Sequence, residues 1–327
     1  MELSCAFPTT LDSPQHAAVA EELGYKHAWF YDNPPLSPDV WMMLALAAEA
    51  TSRIGLGPGA LNPGLRHPMV NAAGTAGLAA LAPGRVAVAF GTGWAPRVLG
   101  QRHQVAWGYL EEYVNAFRDL LQGRAALWEG AKMRMLHPAG HAPPRPIDVP
   151  VVIAAIGPKG DAVARRIGDG LFVVGLVPPF AKDHKWVAML CHGTVLEPDE
   201  DVRSDRVRAA AGPGLMAPYH YAYPSREALS QLPGGDDWLA VVERRRDDER
   251  HLAMAEQHFV GLNEADQAAW QAGAASMVEH LTITGHPSQV RARLDQLAEQ
   301  GVTDVVYQPA GPDIPRELER FLLAATG

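Results

Sequence analysis

The sequence predicts an α/β chain folded as a (β/α)8 TIM barrel, on three observations. Apolar, strand-like runs alternate with helical stretches along the chain, the pattern of parallel βαβ units. About eight such units fit into 327 residues, against ~250 for the bare fold. Glycine and proline punctuate the same end of most strands, where such a barrel carries its site.

The elements follow in order. Leu3–Pro8 reads as the first strand, and Pro14–Leu23 as a helix closed by Gly24. His27–Tyr31 is the second strand, stopped by Asp32-Asn33-Pro34-Pro35, and Asp39–Thr51 is helical. Ile54–Gly59 is the third strand, and the helix His67–Leu81 takes its start from Pro68. Val86–Phe90 ends in Gly91-Thr92-Gly93, and Val105–Leu121 is a long helix. The proline-rich passage His137–Pro150 delivers Val151–Ala155, a helix over Lys159–Arg166, and a sixth strand at Leu171–Val174. Val187–Leu196 and Val302–Tyr307 complete the set. Residues 1–327 thus read as one barrel domain with a helical insertion at about 197–281, between strands seven and eight. Helical pieces there are Asp205–Ala211, Asp237–Arg250 and Glu264–Ala272, and the charge-dense run Glu243–Arg250 reads as a solvated face.

Composition excludes several classes. A formal charge of -9 with no basic block argues against nucleic acid. No run reaches the roughly 18 apolar residues of a membrane span, and the N-terminus lacks a signal-peptide pattern, so a cytoplasmic protein is expected. Cys5 and Cys191 sit in apolar runs and read as buried, reduced thiols. Between Asp39 and Glu49, and again between His67 and Arg85, no residue is charged. Outer helices two and three therefore lack a polar face, and a homodimer through them is expected.

The usual catalytic signatures are absent: no His-Glu-x-x-His, no clustered Cys/His zinc spacing, no Gly-x-Ser-x-Gly and no Gly-x4-Gly-Lys-Ser/Thr. A pocket-bearing barrel without its own catalytic set borrows its chemistry from a cofactor. The predicted strand ends collect the candidates: Asp32 and Asn33; Gly59, Ala60 and Asn62; Gly91 and Gly93; Ile156, Gly157, Pro158 and Lys159; Gly175, Leu176 and Val177; and His192. Glycines there let backbone N–H groups face a ligand, and Gly157-Pro158-Lys159 before a helix suits an anion, although each also reads as a turn. Asp32 serves as an acid or base if burial raises its pKa, while Asp-Asn-Pro-Pro is equally a turn sequence. His192 is a further proton-handling candidate, and His67 reads as a structural helix-start residue. Tyr219, Tyr221, Tyr223 and His220 read as packing within the insertion.

Gly57-Pro58-Gly59-Ala60-Leu61-Asn62-Pro63, with Arg66-His67-Pro68 after it, resembles the signature of the bacterial-luciferase-like superfamily. Gly84-Arg85, Gly91-x-Gly93, Gly157-Pro158-Lys159, Gly168-Asp169-Gly170 and Gly301-Val302-Thr303-Asp304 match in the same order. The resemblance is greatest to the branch with methylenetetrahydromethanopterin reductase and other coenzyme F-420 enzymes. It implies a flavin or deazaflavin ring across the barrel mouth and a non-prolyl cis peptide, here Gly59–Ala60. It also implies hydride transfer between coenzyme F-420 (8-hydroxy-5-deazaflavin) and a small organic substrate. The alternative it implies is an FMN-dependent monooxygenase fed by a separate flavin reductase. Many relatives carry Asp-His where this chain has Asp32-Asn33. Asparagine is no general acid or base, and that departure keeps a third reading open, a non-catalytic flavin-binding barrel.

Overall fold

The computed structural model describes residues 1–93 and 104–327. Eight parallel strands form one sheet: β1 (Glu2–Phe7), β2 (His27–Phe30), β3 (Gly55–Pro58), β4 (Val88–Phe90), β7 (Val151–Ala154), β8 (Gly170–Val174), β9 (Val187–His192) and β10 (Asp304–Gln308), in the order β3-β2-β1-β10-β9-β8-β7-β4. The ring closes between β3 and β4 through two isolated bridges, Leu56 with Val86 and Leu61 with Phe90. This is the expected (β/α)8 architecture.

Among the described residues two compact units are distinguished, one of 1–93, 104–190 and 300–306, the other of 191–299 and 307–327. In the first, α1 (Ser13–Leu23), α2 (Val40–Ala50), α3 (Pro68–Leu81), α4 (Trp107–Leu121) and α5 (Pro158–Ile167) follow their strands. Capping sets where they start. Asp39 accepts from the Trp41 and Met42 N–H groups before α2, and His67 Nδ1 accepts from the Met69 N–H before α3. His67 is thus the structural residue expected. Gly74 of α3 lies under the Trp41 ring, where a Cβ would come within 2.6 Å, so small residues bring α2 and α3 together.

The barrel interior is filled at every second position of its strands. Trp29, Phe172 and Trp186 supply bulk, with Trp29 edge-on to Phe172 at 5.4 Å. Ala6, Ala87, Ala89 and Ala188 make room opposite them. The alternate positions face outward: Phe90 packs edge-on against Phe117 of α4 at 5.0 Å.

The structure adds a hairpin the sequence reading lacked, β5 (Ala126–Trp128) and β6 (Ala131–Met133), turned by Glu129 and Gly130, both at positive φ. It also adds the helices over 287–299 and 314–326. The strand read as Val187–Leu196 ends at His192, because at Gly193 (φ 144) the place of a Cβ is taken by the Ile283 carbonyl oxygen.

In the second unit, residues 192–196 instead pair with 283–285: Ile283 N–H to His192 O at 2.7 Å and Leu196 N–H to Gly285 O at 2.9 Å. Entry and exit of the insertion are thereby held together, so its length costs little loop entropy. Its helices are α6 (Asp205–Leu215), α7 (Ala217–Ala222), α8 (Arg226–Ser230), α9 (Gly235–Val242), α10 (Arg250–Ala255), α11 (Glu264–Gln271) and α12 (Val278–Leu281), followed by α13 (Pro287–Glu299) and α14 (Ile314–Thr326). The helix expected over Asp237–Arg250 stops at Val242, and the next, α10, begins only at Arg250, with most of the charged run in turns between them.

Gly57→Ala tests the closure. A Cβ at Gly57 would stand 1.8 Å from the Ala87 carbonyl oxygen, and backbone cannot yield as a side chain does. The variant is expected to lose about 3 kcal/mol in urea unfolding, the upper end for overpacking, whereas Gly77→Ala, with open space around it, leaves the midpoint near wild type.

Candidate functional site: the strand-end rim

Past the end of β2, Asp32 is buried, and Arg66 Nη1 reaches both its carboxylate oxygens at 2.6 Å. Arg66 Nη2 donates to Asp39 Oδ2 at 2.7 Å. The Arg66 backbone is held in turn: Tyr113 OH donates to its carbonyl at 2.8 Å, Asn71 Nδ2 donates to that hydroxyl at 2.8 Å, and Trp41 Nε1 donates to Asn71 Oδ1 at 3.1 Å. Burial raises the Asp32 carboxyl above its ordinary value, and Asp39 adds to this, while Arg66 and the Asn62 N–H pull it down. Asp39, less buried, ends below its ordinary value through Arg66 and the Trp41 and Met42 N–H groups. The guanidinium does not surrender its proton, so Asp32 is held as a carboxylate clamp on the 59–68 loop. Arg66 stood in the sequence only as part of a motif; its pairing with Asp32 has no local signal.

That loop carries the Gly59–Ala60 peptide, which is cis. Trp29 lies beneath Gly59, 3.1 Å from where a Cβ would be. Leu61 then rejoins β4, its N–H donating to Ala89 O at 2.8 Å and its carbonyl accepting from Gly91 N–H at 3.0 Å. Asn62 is buried, and its Oδ1 accepts from the Gly64 N–H at 2.8 Å. Its Nδ2 occupies the place of a Cβ on Gly93, 1.6 Å away, and Gly93 has φ 85, so only glycine fits there. Gly91 faces Ala154, with room for a Cβ only at 3.2 Å. Asn33 turns the chain, its carbonyl accepting from the Leu36 and Ser37 N–H groups. Asn33 Oδ1 and Asn62 Nδ2 are both buried without a protein hydrogen-bond partner.

Beyond β7, Ile156 is half exposed and Gly157 caps α5 in extended backbone, with Pro158 and the exposed Lys159 in its first turn. Beyond β8, Gly175 has φ 81, and Leu176 is exposed with Val177 half-buried. A Cβ on Gly157 or Gly175 would meet nothing within 4 Å. The first unit therefore brings together Asp32, Asn33 and 59–62 with Gly91 and Gly93, on bare backbone backed by Trp29. Buried donor and acceptor amides, open glycines and a helix N-terminus beside a lysine fit a planar heteroaromatic ring with a polar edge and an anionic tail.

In the second unit, His192 ends β9. Its ring stacks on Phe259 at 4.8 Å and 10°, its Nε2 is buried with no hydrogen-bond partner, and burial pushes it down to about 4. Gly214 makes room for it, since a Cβ there would meet His192 Cβ at 2.2 Å. The sequence reading missed what lies alongside. His220 Nδ1 is 2.6 Å from His258 Nδ1, and His220 Nε2 is 3.0 Å from Asp266 Oδ1. Sequence separations of 38 and 46 residues hide this cluster from any local motif. No group of three or more His, Cys, Asp or Glu among the described residues is arranged to hold a metal ion.

Comparison with known proteins adds three findings. Residues 12–304 match the family described as luciferase-like monooxygenase. The chain is 36% identical to an F420-dependent glucose-6-phosphate dehydrogenase of Beutenbergia cavernae, covering 94% of this chain and 89% of that protein. It is 25% identical to the 5,10-methylenetetrahydromethanopterin reductase of Archaeoglobus fulgidus, covering 93% and 91%. Among solved structures, the coenzyme F420-dependent tetrahydromethanopterin reductase of Methanopyrus kandleri superposes with a TM-score of 0.67 at 22% identity, covering 99% and 98%.

Arg66→Met is expected to destabilise the protein by ~3–5 kcal/mol, since it leaves Asp32 buried and unpaired. The loss depends on pH with a definite sign. An acid whose folded pKa lies above its unfolded value binds more protons when folded, so stability falls as pH rises between the two values. Removing Arg66 raises the Asp32 pKa further, and urea midpoints of the variant should recover as pH is lowered from 7 toward 5.

Proposed function

The chain belongs to the luciferase-like monooxygenase family, and from that premise we propose that it is a coenzyme F-420-dependent oxidoreductase, moving a hydride between the deazaflavin and a small organic substrate. The observation that carries the choice of cofactor is the relative named F420-dependent at 36% identity over 94% of the chain. The methylenetetrahydromethanopterin reductase at 25% identity over 93% of the chain adds a second oxidoreductase relative.

The rim residues fit that group. Gly59 and Ala60 would back the ring with main chain over Trp29. Asn62 Nδ2 and Asn33 Oδ1 are the donor and acceptor suited to its polar edge. Gly91 and Gly93 would let it approach, and Ile156, Leu176 and Val177 would cover it. Gly157, Pro158 and Lys159 at the start of α5, with Gly175, would take its phosphate. When bound, the deazaflavin supplies hydride chemistry at carbon 5. The protein's own part is to hold one face of the ring and exclude water. Asp32, tied up by Arg66, serves to hold the 59–68 loop against the ring.

The second reading, an FMN-dependent monooxygenase supplied by a separate flavin reductase, is favoured by the family's description. The two separate by titrating the protein, as purified from a host without coenzyme F-420, with that coenzyme and with FMN, following fluorescence. The expected result is at least tenfold tighter binding of the deazaflavin; tighter FMN binding with oxygen consumption would overturn the proposal.

We read residues 1–327 as one working barrel with its insertion, acting as a homodimer in the cytoplasm. The dimer rests on α2 and α3, where Met42 is 64%, Leu46 52% and Val70 51% exposed and Glu49 is the one charged residue of the two helices. Cys5 and Cys191 are buried and form no disulfide, which supports that location. Leu46→Glu is expected to shift sedimentation from dimer to monomer while leaving the circular dichroism spectrum unchanged.

A further inference from the structure

We propose that His184 is a positioning residue: by bonding Asp161 it pins the connection 175–186 to the first turn of α5, and so sets where residues 175–177 stand relative to residues 157–159. This rests on the reading above, in which those two segments hold the ring and the phosphate of the coenzyme.

The connection needs such a pin. In the first unit β1 to β4 and β7 are followed by α1 to α5, whereas residues 175–186 after β8 hold one short 3-10 turn, Ala181–Asp183. The backbone bonds of that turn stay within the connection: Ala181 N–H to Pro178 O at 3.0 Å, Asp183 N–H to Phe180 O at 3.1 Å and His184 N–H to Ala181 O at 3.0 Å. On one side the turn rests on Gly301 (φ 102), where a Cβ would stand 2.9 Å from the Lys182 nitrogen. On the other, side chains tie it to α5.

Two bridges make that tie. His184 Nε2 lies 2.7 Å from Asp161 Oδ1, and Arg165 Nη2 donates to Asp183 Oδ2 at 2.8 Å. They are not equal. The His184 and Asp161 side chains are 8% and 15% exposed, those of Arg165 and Asp183 43% and 59%. An exposed ion pair contributes little, while a sheltered hydrogen bond to a carboxylate contributes more. Burial alone would raise the Asp161 carboxyl, but His184 and then Arg165, whose Nε donates to its two oxygens at 3.1 and 3.0 Å, hold it below its ordinary value. An ionised carboxylate only accepts, so His184 Nε2 carries the proton of the bond.

Both ends of the pin lie next to the proposed contacts. Asp161 follows Lys159 and Gly160 in the first turn of α5. Gly160 seats that turn, since a Cβ there would come 2.6 Å from the Ala155 Cβ and 2.7 Å from the Trp107 ring. The start of α5 is therefore a fixed base. Residues 175–177 are not packed in this way: Leu176 is exposed, and Gly175 (φ 81) has open space where a Cβ would be. Pro178 and Pro179 join them to the pinned turn. The proline rings fix φ, so the place of the turn is passed on to Val177 and Leu176.

The test compares His184→Ala and His184→Gln with the wild type by two measurements: amide hydrogen exchange of the cofactor-free protein and fluorescence titration with coenzyme F-420. A glutamine amide still donates to Asp161 from the place of Nε2, and alanine does not. His184→Ala is expected to exchange the Ala181 and Asp183 amides about tenfold faster and to weaken coenzyme binding about tenfold, the equivalent of one hydrogen bond to a charged group. Its melting temperature should stay near wild type. His184→Gln should restore both exchange and affinity, and Asp183→Ala, which breaks the exposed bridge, should leave the affinity unchanged. Wild-type exchange or wild-type affinity in His184→Ala, no rescue by His184→Gln, or an equal loss of affinity in Asp183→Ala would each overturn the proposal. If coenzyme F-420 does not bind the wild type, the functional reading fails instead, and exchange at Ala181 and Asp183 still decides whether His184 pins the connection.

Discussion

Strand β3 runs where its neighbours leave no space for side chains. The His27 ring occupies the Cβ position of Gly55 at 2.1 Å, and the Ala87 carbonyl that of Gly57 at 1.8 Å. The sheet closes on β4 only because these positions are bare, and it closes through bridges at Leu56 and Leu61 instead of a continuous ladder. Everything at the rim follows from where that closure leaves the chain. Gly59–Ala60 emerges over Trp29, Leu61 returns to β4, and Asn62 lands against Gly93. A side chain at any of these glycines would push the loop off its neighbour, and with it the buried amides that make the rim a binding surface.

The same economy of volume runs through the barrel. Trp29, Phe172 and Trp186 fill the interior only because alanines face them. In the second unit, polar atoms carry the load that aromatic rings carry in the first. Arg206 lies between Glu200 and Glu317, Thr194 Oγ1 donates to Glu317 Oε2 at 2.5 Å, and Asp266 gathers His220, Trp238 and Asn263. Buried charge survives there because each group has several partners.

That rule also separates the acid–base candidates. Asp32 is buried, which raises its carboxyl above the ordinary value, and Arg66 reaches both of its oxygens, which pulls it down. His192 has no partner for an imidazolium and stays neutral.

Much was legible in the residues. The alternation of strands and helices, the closing glycines, the apolar α2 and α3 and the structural role of His67 are local properties, written in periods of two and 3.6 and in capping chemistry. The cis Gly59–Ala60 bond was legible through resemblance to a family. The hairpin Ala126–Met133 was not, because Leu127 and Lys132 face outward and blur its pattern. What the sequence by itself determined is therefore the barrel, its rim and the kind of ring that rim suits. Tertiary structure alone decided that Asp32 belongs to Arg66 and that His220 meets His258 and Asp266, 38 and 46 residues away. Those partnerships arise only when elements distant in sequence pack and buried polar groups must find one another, and no local spacing records that choice.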